Sequence, residues 1–341
     1  MTETINKTGL RLKQARIQAG YHTAKEFYEK FQLIPSTYTA HESGRNSLNQ
    51  KTAKKYAELL DVSDSWLLAG VEHEEINKYV LHYGEVPRDN LLNKMLNEPT
   101  IQYLKTAGIQ KGMNIAEFGC GTGAMSCWLA EFVGEEGKVY AIDKGYEQTS
   151  LTERRASALN IKNIEIIRAE INPKEAPIQK PVDLVYMRCF LHHLKNPTGV
   201  LKMAIDLLPK NGIIVCMEPI LSSFFAYPEI AEAKKAIDLY IKLGEGLGLD
   251  FNIGHKLYHH LHSTNKLTDF KASIYHGIGV SKLENSWLEM ITSECASRYI
   301  EKNLATEDEM DSIISKIRDH ISQENSIQTL PEFVCISSRK K

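Results

Sequence analysis

From about residue 91 the sequence alternates short apolar runs with segments of helical periodicity, and this alternation constrains the fold more than any other feature. Helix 91–107 is followed by strand 114–118, helix 124–133, strand 138–142, helix 147–159 and strand 164–168. Strand 182–187, helix 196–208 and strand 212–218 continue the pattern. Strands joined by helix-length crossovers run parallel with helices on both faces, which predicts an α/β domain. Residues 222–262 are mostly helical and interrupt the alternation. Two more strands, at about 267–280 and 331–338, flank a helical segment at 283–323.

Residues 8–70 read differently, as short helices broken by tight turns. Leu10, Leu12, Ala15 and Ile17 begin an amphipathic helix that stops at Ala19-Gly20. Thr23 is suited to cap a helix over 24–31, with Glu26 completing a capping box. Pro35 fits the first turn of a helix that Ser43-Gly44 ends. An amphipathic helix at 50–60 and a short one from residue 63 complete an all-α unit. Residues 71–90 are polar, contain Gly84 and Pro87, and read as a linker that could be partly helical. The expected organisation is therefore 1–70, a linker 71–90, and one domain over 91–341. A chain of 341 residues with 43% hydrophobic and 25% charged residues has ample material for two cores.

Charge and cysteine usage narrow the function classes. Residues 1–70 hold ten Lys/Arg against seven Asp/Glu, and the remainder holds 31 against 36. A mildly basic end on a mildly acidic body permits nucleic-acid contact there without requiring it. The six cysteines (120, 127, 189, 216, 295 and 335) show no metal-ligand or redox spacing, so reduced core thiols and no metal site are expected. No apolar leader and no run approaching about 18 apolar residues is present, which predicts a cytoplasmic chain that is neither exported by a standard signal peptide nor membrane-spanning.

The strongest chemical signal is Glu117-Phe-Gly119-Cys120-Gly121-Thr-Gly123, between a strand and a helix. Glycines there let the backbone approach a ligand closely, and the helix N-terminus offers free N–H groups. The spacing is G-x-G-x-G and not the dinucleotide G-x-G-x-x-G. A carboxylate at Glu117 disfavours a pyrophosphate and suits an ammonium group, which argues against a nicotinamide oxidoreductase. The next strand ends at Asp143, where an acid can accept both hydroxyls of a ribose. Together these features point to a nucleoside ligand without phosphates.

On these residues, 91–341 resembles class I S-adenosylmethionine (SAM)-dependent methyltransferases, especially the small-molecule branch that includes quinone-biosynthesis enzymes. The resemblance implies a Rossmann-like seven-stranded sheet with SAM as cofactor. Residues 115–123 resemble the first motif, around the methionine part of SAM, and residues 139–143 the second, with Asp143 on the ribose. Ala169 and Glu170 would line the adenine, although the family often has Asp at the second of these positions. Met187 and Arg188 would lie beside the methionine, mainly through their backbone.

Methyl transfer needs alignment more than elaborate chemistry, and a base only where the acceptor must lose a proton. Candidate catalytic groups on the sheet's carboxyl edge are His192, His193, Glu218 and Tyr227. The histidine pair could equally begin a helix packed on the sheet, and Glu218 could serve a structural hydrogen bond. Segment 222–262, with Phe224, Phe225, Tyr227 and Tyr240, could form a lid that excludes water. The acceptor is expected to be a small organic molecule, since the Asn/Asp-Pro-Pro-Tyr/Phe and Pro-Cys motifs of DNA methylases are absent after the fourth strand.

Residues 8–70 resemble the phage-repressor family of helix-turn-helix domains. The resemblance implies Ser36, Thr37 and Thr39 as base readers, Arg45 and Asn46 near phosphate, and Thr23 capping a helix whose N-terminus meets the backbone. Arg16 and Glu42 resemble the pair that joins two helices internally. A monomeric unit of this kind binds weakly, so DNA recognition would imply a homodimer. Two alternatives stay open: a domain that targets or regulates the enzyme, through DNA or through protein contact or dimerisation, and a transcriptional regulator that uses the larger domain as a SAM or metabolite sensor.

Overall fold

The computed structural model describes residues 7–19, 21, 23–60, 62, 67 and 86–341. The chain divides into two compact units, Met1–Tyr79 and Val80–Lys341. Most of the expected short helix at 63–68 and residues 71–85 of the expected linker lie outside the described residues.

In the first unit, α1 (Lys7–Gln18), α2 (Ala24–Lys30), α3 (Pro35–Glu42) and α4 (Gln50–Leu60) surround a core of Leu12, Phe27, Leu33, Tyr38, Ala53, Tyr56 and Leu60. Thr23 and Glu26 form the capping box at the start of α2, satisfying two backbone donors that a helix end leaves unpaired. Arg16 Nε donates to Glu42 Oε1 at 2.7 Å, and both side chains are buried. This pair joins α1 to the end of α3, as the sequence suggested. Tyr38 points into the core, so its neighbours Ser36, Thr37 and Thr39 face solvent on the opposite side of α3.

The second unit opens with α5 (Val86–Ala107), which starts earlier than the sequence pattern indicated. Pro87 sits in its first turn, where the missing N–H costs nothing, so the last residues of the 71–90 segment are helical. Then follow β1 (Asn114–Phe118), α6 (Ala124–Val133), β2 (Lys138–Asp143), α7 (Tyr146–Ala158), β3 (Ile164–Arg168), β4 (Leu184–Arg188), α8 (Pro197–Asp206) and β5 (Ile213–Ile220). The C-terminal part adds β6 (Ala226–Tyr227), α9 (Ala231–Gly246), α10 (Leu257–His262), β7 (Leu267–Gly279), α11 (Trp287–Glu301), α12 (Glu307–Ser322) and β8 (Ile327–Lys340).

The strands form one sheet in the order β3-β2-β1-β4-β5-β8, with β7 on the outer side of β8. The first five are parallel; β8 runs antiparallel to β5, and β7 antiparallel to β8. The expected seven strands are therefore present, and the two-residue β6 adds an eighth beside the start of β8. Because β1 and β4 flank the point where chain order reverses, the crevice at their carboxyl ends is the place where an open α/β sheet holds a ligand.

One face of the parallel strands packs Ile115, Val139, Leu184 and Val215 against α5 and α6; the other packs Phe118, Ile142, Val185 and Met187 against α8 and α10. A third apolar cluster joins α9, α11 and α12 to Leu330, Phe333 and Cys335 of β8. Segment 222–262 is thus divided: α9 belongs to this third cluster and α10 to the opposite face. Tyr240 is buried and stacks on Phe251 with ring centroids 4.5 Å apart, so it builds core and lines no opening to solvent.

Candidate active site

The loop after β1 takes its shape from three glycines with left-handed backbone, Gly119 (φ 76°), Gly121 (φ 52°) and Gly123 (φ 73°). Each position has a different reason for lacking a side chain. A Cβ on Gly119 would lie 2.7 Å from the Phe190 ring, and one on Gly123 2.5 Å from Thr152. A Cβ on Gly121 would meet nothing within 4 Å. Close packing thus explains the outer glycines, whereas the central one borders open space.

Two carboxylates flank that space. Asp143, at the end of β2, accepts the Gly121 N–H at 3.1 Å on one oxygen and the Gly145 N–H at 2.9 Å on the other. The same side chain therefore fixes the glycine loop, and the Lys144 N–H adds a third backbone donor to it. Burial pushes its pKa up, against the lowering effect of those N–H groups. Glu117, on β1, is buried and accepts a hydrogen bond from the Ser126 hydroxyl at the start of α6. Burial raises its pKa from the ordinary 4.5 to about 7; the Ser126 bond and the Arg188 charge oppose the rise, and Asp143 adds to it. Cys120 lies buried in the loop with its sulfur 3.9 Å from Thr152 Oγ1, and burial raises its pKa.

Arg188 ends β4 on the side facing α5. Its guanidinium donates to Asn97 Oδ1 (3.0 Å), Thr100 Oγ1 (3.1 Å) and Asn93 Oδ1 (3.0 Å). These three neutral acceptors orient the cation without cancelling its charge. The sequence reading missed them, although residues 93, 97 and 100 recur at the spacing of one helix face. It missed Ser126 and Thr152 as well, since a lone hydroxyl in a helix carries no pattern. Met187 is fully buried in the core with Phe118, so only its backbone reaches the crevice. Ala169 is half-buried and its N–H donates to the Asp143 carbonyl, while the Glu170 side chain is exposed.

The four proposed catalytic groups separate. Glu218, at the end of β5, has no exposed surface and accepts the N–H groups of Phe190 (2.9 Å), Leu191 (2.7 Å) and His192 (3.3 Å). It also pairs with His192 Nδ1 at 2.7 Å. A carboxylate so enclosed positions the turn after β4 and cannot touch an acceptor, which corrects its assignment as a catalytic group. His192 is 7% exposed and held by that carboxylate. His193 is half-buried, with its ring 3.9 Å from that of His192 and 6.1 Å from Phe251. The two histidines form a 3₁₀ turn, Leu191–His193, and not the start of the following helix, because Asn196 caps α8 and Pro197 begins it. Tyr227 lies on β6, 65% exposed and paired with Ile327 of β8.

Comparison with known proteins agrees with this geometry. Residues 109–328 match the model of a methyltransferase domain family, and residues 9–73 that of a helix-turn-helix domain. The first match covers more than half of the chain, so the chain belongs to the methyltransferase domain family, and its cofactor is S-adenosylmethionine. The chain is 27% identical over 128 residues to the demethylmenaquinone methyltransferase of Geobacillus stearothermophilus, covering 37% of this chain and 54% of that one. It is 29% identical over 140 residues to the demethylmenaquinone methyltransferase of Lactococcus lactis, covering 41% and 52%. The chain thus spans about half the length of these relatives. Among solved structures, the YcgJ protein of Bacillus subtilis aligns over 72% of this chain and 99% of its own, with 13% identity and a TM-score of 0.48. Among the described residues no group of three or more metal-ligating side chains occurs, and no helix is long and apolar enough to cross a membrane.

The raised Glu117 pKa has a measurable consequence. Between pH 4.5 and about 7 the folded protein keeps a proton that the unfolded chain has lost, so this residue's contribution to stability falls as pH rises through that window. The full effect is on the order of 3 kcal/mol. Urea unfolding of Glu117→Gln against the parent should show the variant relatively more stable at pH 8 than at pH 4.5, and a pH-independent difference would remove the buried-carboxylate account.

Proposed function

We propose that the protein transfers a methyl group from S-adenosylmethionine to a small organic acceptor at the carboxyl ends of β1 and β4, and that its N-terminal unit binds DNA. The observation that carries the first part is the open space at Gly121 between Glu117 and Asp143. The residues fit the cofactor. Asp143, at the end of β2, offers its two carboxylate oxygens beside Gly121 to the hydroxyls of a ribose. Glu117 offers a buried carboxyl group, its pKa raised to about 7, that an ammonium would draw into its charged form, and the Arg188 guanidinium, oriented by three neutral partners, offers a positive charge for the carboxylate. Gly119, Cys120, Gly123, Met187 and Ala169 are assigned to the cofactor through their backbone, and Glu170 to the adenine.

When bound, the cofactor supplies a methyl carbon made electrophilic by its sulfonium. The chain's part is to align an acceptor with that carbon, exclude water and, for an alcohol or carbon acid, take up a proton. Glu218, paired with His192, is a positioning residue, and His193, half-buried beside that pair, is the imidazole we assign to the proton. Relatives named for demethylmenaquinone methylation support a small organic acceptor over a macromolecule.

Asp143→Ala should abolish calorimetric heat on titrating S-adenosylmethionine into the full chain, in contrast to the parent. Unchanged binding would refute the site. With a hydroxyl or carbon-acid acceptor, His193→Ala should lower kcat by about 10²-fold while cofactor affinity stays unchanged; an equal loss in affinity would make His193 a structural residue.

The DNA reading is supported by exposed Ser36, Thr37 and Thr39 on α3, by Arg45 and Asn46 just beyond it, and by the family match. Anisotropy titrations of duplex DNA should give log K falling linearly with log salt, with the Arg45→Ala slope shallower by about 0.9. No binding at low salt would refute it. The same titration with and without cofactor distinguishes an enzyme that is merely tethered to DNA from a regulator that senses the cofactor, since only the second changes affinity.

A further inference from the structure

The corner of the sheet formed by β6, β8 and β7 carries a cluster of exposed apolar side chains on one face. The register places them there. Tyr227 pairs with Ile327, and Phe225 accepts the Thr329 N–H through its carbonyl, so residues 225 and 227 share a face with 327 and 329. Ile278 pairs with Thr329 from the other side of β8, which puts it on the same face. The Phe225 ring contacts His276 with centroids 5.7 Å apart, bringing His276 and its second neighbour Ile274 into the same surface. Val280 follows at the end of β7. Exposures are 44% for Phe225, 65% for Tyr227, 62% for Ile274, 52% for Ile278 and 78% for Val280.

Single exposed apolar residues are ordinary, but a contiguous group of this size on a sheet face is not. Side chains of these types and exposures present on the order of 500 Å² of mainly apolar surface. A stable protein interface takes about 800 Å² from each partner, so the platform supplies the apolar centre of one.

We propose that this platform is a homodimer interface, occupied by the same platform of a second copy of this chain across a two-fold axis. Its charge pattern fits its own image. On the platform His276 Nδ1 lies 3.7 Å from Glu332 Oε1, and the two carry opposite signs when charged. A self-complementary face needs that balance, since a single-sign patch would repel its copy. An anionic membrane surface fits less well, because the flanking charge is mixed: Glu229 follows Tyr227 by two positions, Glu284 accepts the Val280 N–H and pairs with Lys94 at 2.9 Å, and Lys282 is exposed. A dimer would also present two helix-turn-helix units to two half-sites; that advantage alone rests on the DNA reading.

The test is the mass of the full chain in solution without DNA, by light scattering coupled to size exclusion at micromolar concentration. The parent should run at twice the mass of one chain, and Ile278→Glu with Val280→Glu at the mass of one. Both positions are exposed, so far-UV circular dichroism and S-adenosylmethionine binding of the variant should match the parent. A monomeric parent, a dimer that survives the double substitution, or a monomeric parent that floats with anionic vesicles would each overturn the proposal. Because no DNA is present, failure of the DNA reading leaves this result untouched, and a monomeric parent that still binds duplex DNA refutes only the interface.

Discussion

The geometry of the crevice depends on one buried carboxylate that binds the protein's own backbone. Glu218 gathers three consecutive backbone N–H groups and an imidazole, fixing the turn after β4 to the end of β5. Those donors would otherwise be unpaired in a dry interior, at a cost of a few kcal/mol each way. The turn they define begins with Cys189 in left-handed backbone (φ 52°) and lays the Phe190 ring against Gly119. The wall of the cofactor loop is therefore set from the neighbouring strand, and the loop glycines only accommodate it.

Around that frame, charge is distributed by burial as much as by pairing. Glu117 and Asp143 both sit where desolvation raises their pKa, and each is restrained by a small number of donors. Such carboxylates are poised to gain from a cationic or hydroxyl-bearing ligand that restores lost solvation. Arg188 is complementary: amide and hydroxyl oxygens hold its fork in place and leave its charge for use. Site and fold therefore share the same hydrogen bonds, since the helix that orients Arg188 also covers β5 and β8.

Much of this was legible beforehand because it is local. The capping box at Thr23 and Glu26, the buried pair Arg16–Glu42 and the parallel strand order all follow from short-range pattern or from the stated family resemblance. The places of Glu117 and Asp143 beside the glycine loop also follow from position along the chain, because a strand end and the next turn are adjacent in any βαβ unit. Elsewhere the pattern misled. The histidine pair reads as the start of a helix, but it forms a separate 3₁₀ turn ahead of the helix that Pro197 begins.

The sequence by itself determined the alternation of strand and helix, the glycine loop and the acids beside it, since each is a property of neighbouring residues. Only the tertiary structure decided that Glu218 serves the backbone, that Asn93, Asn97 and Thr100 hold Arg188, and that 222–262 divides between two cores. The physical reason is that such roles are set by what lies opposite after folding. A buried carboxylate acquires its function from donors about 26 to 28 residues away in the chain, and no periodicity records that distance.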